Sequence, residues 1–228
     1  MNELPTVFLV DDDISVLRSV ERLLRSGGYN VSAHRSARRF LAEFQRPEQP
    51  CCLVLDIAMP KLSGIELQDR LVEKQLDLPI VFITGHGDVP TTVRAMKSGA
   101  VDFLTKPFEE RELLQAVRQA LYKDRMKRRE RVERSQIMVQ VDSLTIRENQ
   151  VLRLVVTGML NKQIAATLGT CEKTIKVHRG RVMRKMNVQS VAELVRKAEK
   201  AGLFASPAPA ELHAGAPATP RAGAYSPM

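Results

Sequence analysis

The run CCLVLDIAMPKLSG, residues 51–64, decides the fold. Its apolar centre, Leu53-Val54-Leu55, ends on a lone acid, Asp56, and gives way at once to turn residues. A short apolar run bounded in this way reads as a strand buried on both faces of a parallel sheet. An acid at its carboxyl end then sits where open α/β sheets place their ligands. What that acid does depends on what else reaches the same edge.

Outward from this strand the first half of the chain alternates. Strands are expected at 6–10, 30–33, 52–55, 80–83 and 102–104. Between them lies helical spacing, such as Val16, Val20, Leu23 and Leu24, or Ile65, Leu67 and Leu71, with stops near Gly27-Gly28 and Gly99. Five β/α repeats predict an α/β doubly wound, five-stranded parallel domain of flavodoxin-like order 2-1-3-4-5.

The strand ends carry the chemistry. TVFLVDDD closes the first strand on Asp11, Asp12 and Asp13, LVLD the third on Asp56, IVFIT the fourth on Thr84, and DFLTKP the fifth on Lys106 before Pro107. Strands one and three are neighbours in the predicted order, which gathers several carboxylates. Like charges at close range raise one another's pKa unless a cation neutralises them. Hard oxygen ligands in an open cleft suit Mg²⁺, which binds through one or two carboxylates plus a phosphate. Thr84 can then donate to a phosphoryl oxygen and Lys106 can balance its charge. Asp56, alone at its strand end, is left as the nucleophile of an acyl phosphate. Any one of these residues taken singly is more often structural; the ordered set is specific.

Composition narrows the setting. The chain has 228 residues, 44% of them hydrophobic, and a net charge of +9. The charge is segregated: residues 1–122 carry 15 Lys/Arg against 17 Asp/Glu, and residues 123–228 carry 20 against 9. A polyanionic partner therefore belongs to the second half. No apolar run approaches the ~20 residues needed to span a bilayer, and the start, MNELPTVFLV, lacks the pattern of a secretory signal. Cys51, Cys52 and Cys171 form no disulfide framework and show no metal-ligand spacing, so a reduced, cytoplasmic protein without a membrane partner is expected. The Cys51-Cys52 pair is expected to pack beside the strand.

The motifs LVDDD, LVLDIAMPKLSG, VFITGHGDV and FLTKPF make residues 4–122 resemble the receiver domain of two-component response regulators, the phosphoacceptor modules of bacterial signalling. The resemblance implies that Asp56 takes a phosphoryl group from a sensor histidine kinase. It makes Asp11 and Asp12 the acid pair, with Asp12, Asp56 and the backbone carbonyl of Ala58 on Mg²⁺. It implies a cis Lys106-Pro107 bond, phosphate sensing by Thr84 and Lys106, and Phe103 as the switch aromatic. The run TGHGDVP looks like the FixJ branch, whose receivers dimerise through helix four and strand five; Val93, Met96, Lys97 and Phe103 fall on that face. His86 is not assigned a role, because the family's phosphodonor histidine lies on the partner. Ala58 offers no side chain at a position that often tunes loss of the phosphoryl group.

From Leu144 to Leu203 only helical periodicity appears. Val151, Leu152, Leu154 and Val155 mark one helix. Asn161 is the expected N-cap of a short helix through Leu168, closed by Gly169; a longer helix is expected over 172–186, and another around 191–200. A short helix, a turn and a longer basic helix form a helix-turn-helix. Lys176, Arg179, Arg181, Arg184 and Lys185 crowd the longer helix, while Ile175, Val182, Met183 and Met186 suit a core. One apolar and one cationic face fit a helix lying in the DNA major groove.

Residues 144–201 are similar to the LuxR/NarL-type four-helix DNA-binding domain. That resemblance implies base contacts from Lys176 and Val177 and phosphate contacts from Lys162, Thr174, Arg179 and Lys185, with Glu148 as a structural brace. Gly180 stands where relatives often carry a base-contacting lysine, Cys171 replaces a serine cap, Thr170 an apolar residue and Val191 a frequent arginine. The organisation expected is a receiver at 1–122, a charged helical linker at 123–143, the DNA-binding domain at 144–204 and a disordered Ala/Pro-rich tail at 205–228. A weak coiled-coil contribution from Val117, Leu121 and Val132 is allowed.

The chain so read is a DNA-binding response regulator of FixJ/NarL type, not an enzyme. It is phosphorylated at Asp56, forms a homodimer, and regulates transcription with double-stranded DNA and RNA polymerase as partners. The rival is a haloacid-dehalogenase-type phosphatase with Asp11 as nucleophile in Asp11-x-Asp13, which requires a further acidic pair that DFLTKPFEE does not offer.

Overall fold

The structure, a computed structural model, describes residues 4–85 and 89–203. His86 and the tail at 205–228 lie outside the described residues. The chain divides into two compact units at the Glu133/Arg134 boundary.

In the first unit, strands β1 (Thr6–Val10), β2 (Asn30–His34), β3 (Cys51–Asp56), β4 (Ile80–Thr84) and β5 (Asp102–Thr105) alternate with helices α1 (Ile14–Ser26), α2 (Ala37–Glu43), α3 (Gly64–Glu73), α4 (Val89–Lys97) and α5 (Glu110–Asp142). The sheet is parallel, in the order β2-β1-β3-β4-β5. Strand alternation explains the layers. Val7, Leu9, Cys52, Val54, Val81 and Ile83 face α1 and α5, whereas Phe8, Val10, Leu53, Leu55 and Phe82 face α2, α3 and α4. Cys51 and Cys52 are the first two residues of β3 rather than neighbours of it, and they enter opposite cores, as successive strand residues must.

Local chemistry sets the helix starts. Asp13 accepts from the backbone N–H groups of Ser15 and Val16 and caps α1, while Ser63 and Glu66 close a reciprocal capping box on α3. Gly64, the first residue of α3, must be glycine for a spatial reason: a Cβ there would stand 2.4 Å from the Asp56 carbonyl oxygen and 3.0 Å from the Ile57 Cα. The start of α3 thus rests on the backbone of the acid that decided the fold.

Residues 123–142 continue α5, and they are not solvated throughout. Asp124 is fully buried, accepting from the Cys51 N–H at 2.9 Å and from Arg128 Nε at 2.6 Å, and it also pairs with Arg46. Lys127 and Arg131 donate to Asp77 at 2.5 and 2.8 Å. Val117 and Leu121 are buried against the sheet and cannot form a coiled-coil seam; of the three residues considered, only Val132 is exposed.

In the second unit, the end of α5 supplies Ile137 and Val141 to a core shared with α6 (Ile146–Val156), α7 (Asn161–Thr167), α8 (Glu172–Lys185) and α9 (Val191–Ala201). This unit therefore begins ahead of residue 144. Among the described residues, no helix is long and apolar enough to cross a membrane.

Candidate functional sites

The register carries the strand ends to one edge. Val10 pairs with Leu55 and Asp56 with Ile83, so Asp11 and Asp56 end neighbouring strands at one level. One carboxylate oxygen from each of Asp11, Asp12 and Asp56 lies within 4.8 Å of the others, a donor set suited to a hard divalent cation. Lys106 Nζ donates to Asp11 Oδ2 at 2.6 Å and to Asp56 Oδ1 at 2.7 Å. The Lys106-Pro107 peptide bond is cis.

The three consecutive aspartates have three different environments. Asp11 is 1% exposed, its backbone N–H donates to the His34 carbonyl, and its Oδ1 accepts from the Asp13 N–H at 2.9 Å. Asp12 is half-buried beside it, and Asp13 is exposed and committed to its cap. Burial pushes the Asp11 carboxyl above its ordinary range, outweighing the hydrogen bond from Lys106. For Lys106, burial alone would lower the pKa; its bonds to Asp11 and Asp56 outweigh that and raise it. Asp56 is 4% exposed and Thr84 is fully buried, its carbonyl accepting from the Lys106 N–H at 2.7 Å. Ala58 is exposed in the β3–α3 loop, and Phe103 is half-buried against the α2–α4 core.

On α4, Val93 and Met96 are 43% and 42% exposed, and Lys97 is exposed too. Val89, which the sequence reading passed over, is 75% exposed one turn earlier and extends the same stripe. Its spacing of four from Val93 was the available signal.

In the second unit, α8 buries Ile175 and Val182, and Met186, its C-cap, is buried as well. Lys176 and Val177 are exposed on the opposite side, together with Lys173, Gly180, Arg181 and Arg184. Lys173, Arg181 and Arg184 were not singled out as contacts, although their three- and four-residue steps place them with Lys176 and Val177. Lys162 is exposed on α7, and the Thr174 hydroxyl lies 3.1 Å from Cys171 Sγ. Hydrogen bonds from the Thr174 side chain and backbone pull the Cys171 thiol below its usual pKa.

Two expectations need correction here. Lys185 is not a free phosphate contact: its ammonium donates to Glu148 Oε2 at 2.7 Å and to the Ser143 carbonyl at 2.8 Å, which spends its charge on a buried acid. Glu148 is the brace expected, accepting from the Thr145 N–H as well. Asn161 is not the cap of α7; Leu160 holds that position, and Asn161 Oδ1 accepts from Arg179 Nη1 at 2.9 Å. Arg179 is thereby half-buried, with one donor committed between α7 and α8.

Gly180 has open space where a Cβ would stand. Gly180→Ala is expected to stabilise this unit by about 0.5–1 kcal/mol, the helix-interior difference between the two residues. A chemical denaturation series with no gain would show that α8 needs a glycine there.

Comparison with known proteins agrees with both units. Residues 7–118 match the response regulator receiver domain, and residues 142–198 match the bacterial regulatory proteins of the luxR family. Nodulation protein W of Bradyrhizobium diazoefficiens is 48% identical over 200 residues, covering 88% of each chain. Transcriptional regulatory protein FixJ of Rhizobium meliloti is 41% identical over 197 residues, covering 86% of this chain and 96% of that one. The solved structure of response regulator StyR superposes with a TM-score of 0.73 at 52% identity, covering 87% of this chain and all of that one. With the acid edge, the parallel sheet and the helix-turn-helix all in place, the chain belongs to the response regulators that join a receiver domain to a LuxR-type domain.

Proposed function

We propose that Asp56 accepts a phosphoryl group from a sensor histidine kinase and that the modified chain dimerises and regulates transcription by reading DNA with α8. The observation that carries this reading is Asp56 itself: a buried carboxylate at the end of β3, beside Asp11, Asp12 and the ammonium of Lys106. Its Oδ atom forms the new bond to phosphorus. The P–N bond of the kinase phosphohistidine breaks, and its electron pair returns to the imidazole. Lys106 balances the added charge, the Thr84 hydroxyl donates to a phosphoryl oxygen, and Phe103 follows Thr84 inward.

The three clustered acids fit Mg²⁺; Asp12, Asp56 and the Ala58 carbonyl would hold it with Asp11 alongside, and the ion would offset the charge of the acids and of the phosphoryl oxygens. The phosphatase reading has no support from the family matches, which are to the receiver and luxR families, and Asp13 serves as the N-cap of α1. The apolar stripe Val89, Val93 and Met96, flanked by Lys97, supports dimerisation through α4 and β5. Two α8 helices then read half-sites about 34 Å apart, one DNA turn, and the pairing raises avidity without new contacts. RNA polymerase and the cytoplasm follow from that role.

Incubation with acetyl phosphate and Mg²⁺, followed by peptide mass spectrometry, tests the phosphoacceptor. The adduct is expected on Asp56; an adduct on another residue, or none, overturns the assignment. On the DNA side, Lys176→Ala is expected to cost about 1–3 kcal/mol at the preferred operator and to relax the preference at one base pair. Arg184→Ala should instead weaken binding evenly and reduce the salt slope by about one. Titrations on matched and scrambled DNA at several salt concentrations separate the two. Identical behaviour of both variants contradicts a division between base and phosphate contacts.

A further inference from the structure

We infer that Gly180 is a specificity determinant of α8: beside Val177 it leaves a notch that receives the methyl group of one thymine in each half-site. The inference rests on the reading of α8 as the helix that enters the major groove, and it adds a residue that acts by having no side chain.

Nothing inside the chain calls for glycine at this position. Gly180 lies in the interior of α8 and is not among the residues with positive φ. Apart from its chain neighbours and the backbone of its own turns of helix, nothing among the described residues comes within 4 Å of where its Cβ would stand. Gly64, by contrast, is required by a close backbone approach. Glycine in a helix interior costs stability relative to alanine. In α8 neither backbone conformation nor packing accounts for that cost.

The vacancy sits on the exposed face. Steps of three and four residues join it to Lys176, Val177 and Arg184, and join Val177 in turn to Lys173 and Arg181, all exposed. Helical side chains lean toward the N-terminus, so a long side chain at position 180 would lie over Lys176 and Val177. Without one, Val177 stays 50% exposed, bare on the flank that adjoins Gly180. The result is a small apolar recess, floored by helix backbone and walled by Val177, within a ring of cations.

The ring and the recess select different parts of one ligand. The cations engage phosphates and bring base edges against this face. Base edges in the major groove present hydrogen-bonding nitrogens and oxygens and one apolar group, the thymine methyl. The helix backbone at Gly180 has its N–H and C=O committed within α8, so the recess offers a polar base atom no partner and suits the methyl group.

Duplexes enriched from a random pool by the full chain, treated with acetyl phosphate, define the operator. Each thymine is then replaced singly by deoxyuridine, which removes the methyl group and keeps the pairing. One replacement in each half-site is expected to weaken binding about fourfold, the worth of one buried methyl group. Gly180→Leu fills the recess without altering charge, and leucine suits a helix interior. This variant should bind the thymine and deoxyuridine duplexes equally at that position, with its salt dependence unchanged. If it binds too weakly for the comparison, Gly180→Ala takes its place and should shrink the difference. A pool in which no sequence is enriched overturns the DNA reading and this inference with it. Enrichment without a deoxyuridine-sensitive position, or a sensitivity that the Gly180 variants retain in full, overturns the notch alone.

Discussion

Asp56→Asn is expected to leave a folded chain that incorporates no phosphoryl group and whose DNA affinity no longer responds to a phosphodonor. The substitution keeps the volume of a side chain that is 4% exposed, and an amide oxygen still accepts from Lys106 Nζ, now 2.7 Å from the carboxylate. Packing around it is therefore conserved, and unfolding should shift by no more than about 1 kcal/mol. What disappears is the anionic oxygen that attacks phosphorus. Asp11→Asn makes the contrast. Burial raises the Asp11 pKa above its ordinary value of 3.8. A raised folded-state pKa contributes stability that is fully present below the unfolded value and is lost as pH climbs through the folded one. At neutral pH without a divalent cation, Asp11→Asn should therefore be more stable than the natural chain, and the gap should close on acidification. It retains the Asp56 nucleophile and so still forms an adduct, more slowly. Intact-mass measurement of both variants after acetyl phosphate treatment, with denaturation at acid and neutral pH, checks the pair. Labelling that survives in Asp56→Asn and vanishes in Asp11→Asn would point to the phosphatase chemistry instead.

The features legible in the sequence are those with a local period or a chain-ordered pattern. The sheet strands announce themselves because alternating faces are both buried, and the expected strand at 52–55 is extended by one residue at each end in β3. The acids at the strand ends follow from strand order alone. The long-range polar pairs do not. Arg46 and Asp124 are 78 residues apart, and Glu148 and Lys185 are 37 apart; no helical or strand period links them. Lys185 accordingly read as one more cation on a basic helix, and Asp124 as one more charge on a solvated one. The Gly64 constraint escaped for the same reason, since the atoms a Cβ would strike belong to another element's backbone. Asn161 misled by composition: asparagine is a good N-cap, but here its side chain serves Arg179.

Those hidden pairs differ greatly in worth. Asp124→Ala is expected to cost the receiver unit about 3 kcal/mol, the lower end of the ~3–5 kcal/mol for removing one partner of a buried ion pair. The lower end applies because Arg46 and Arg128 keep 23% and 21% of their side-chain surface exposed and can rehydrate, whereas Asp124 has none. The Cys51 N–H has no such recourse. It opens β3, the strand that ends on Asp56, and loses its acceptor outright. Hydrogen exchange should therefore speed up at Cys51 and along β3 in Asp124→Ala. Arg131→Ala removes a cation from Asp77 in a pair that is 49% and 41% exposed, and exposed pairs contribute about 0–1 kcal/mol. Lys127 also stays in place, so this variant should melt within a degree or two of the natural chain. Denaturation of the two variants side by side, with exchange read at residues 51–56, tests the ranking. Equal costs, or unchanged protection at Cys51, would mean that the buried carboxylate does not anchor the strand.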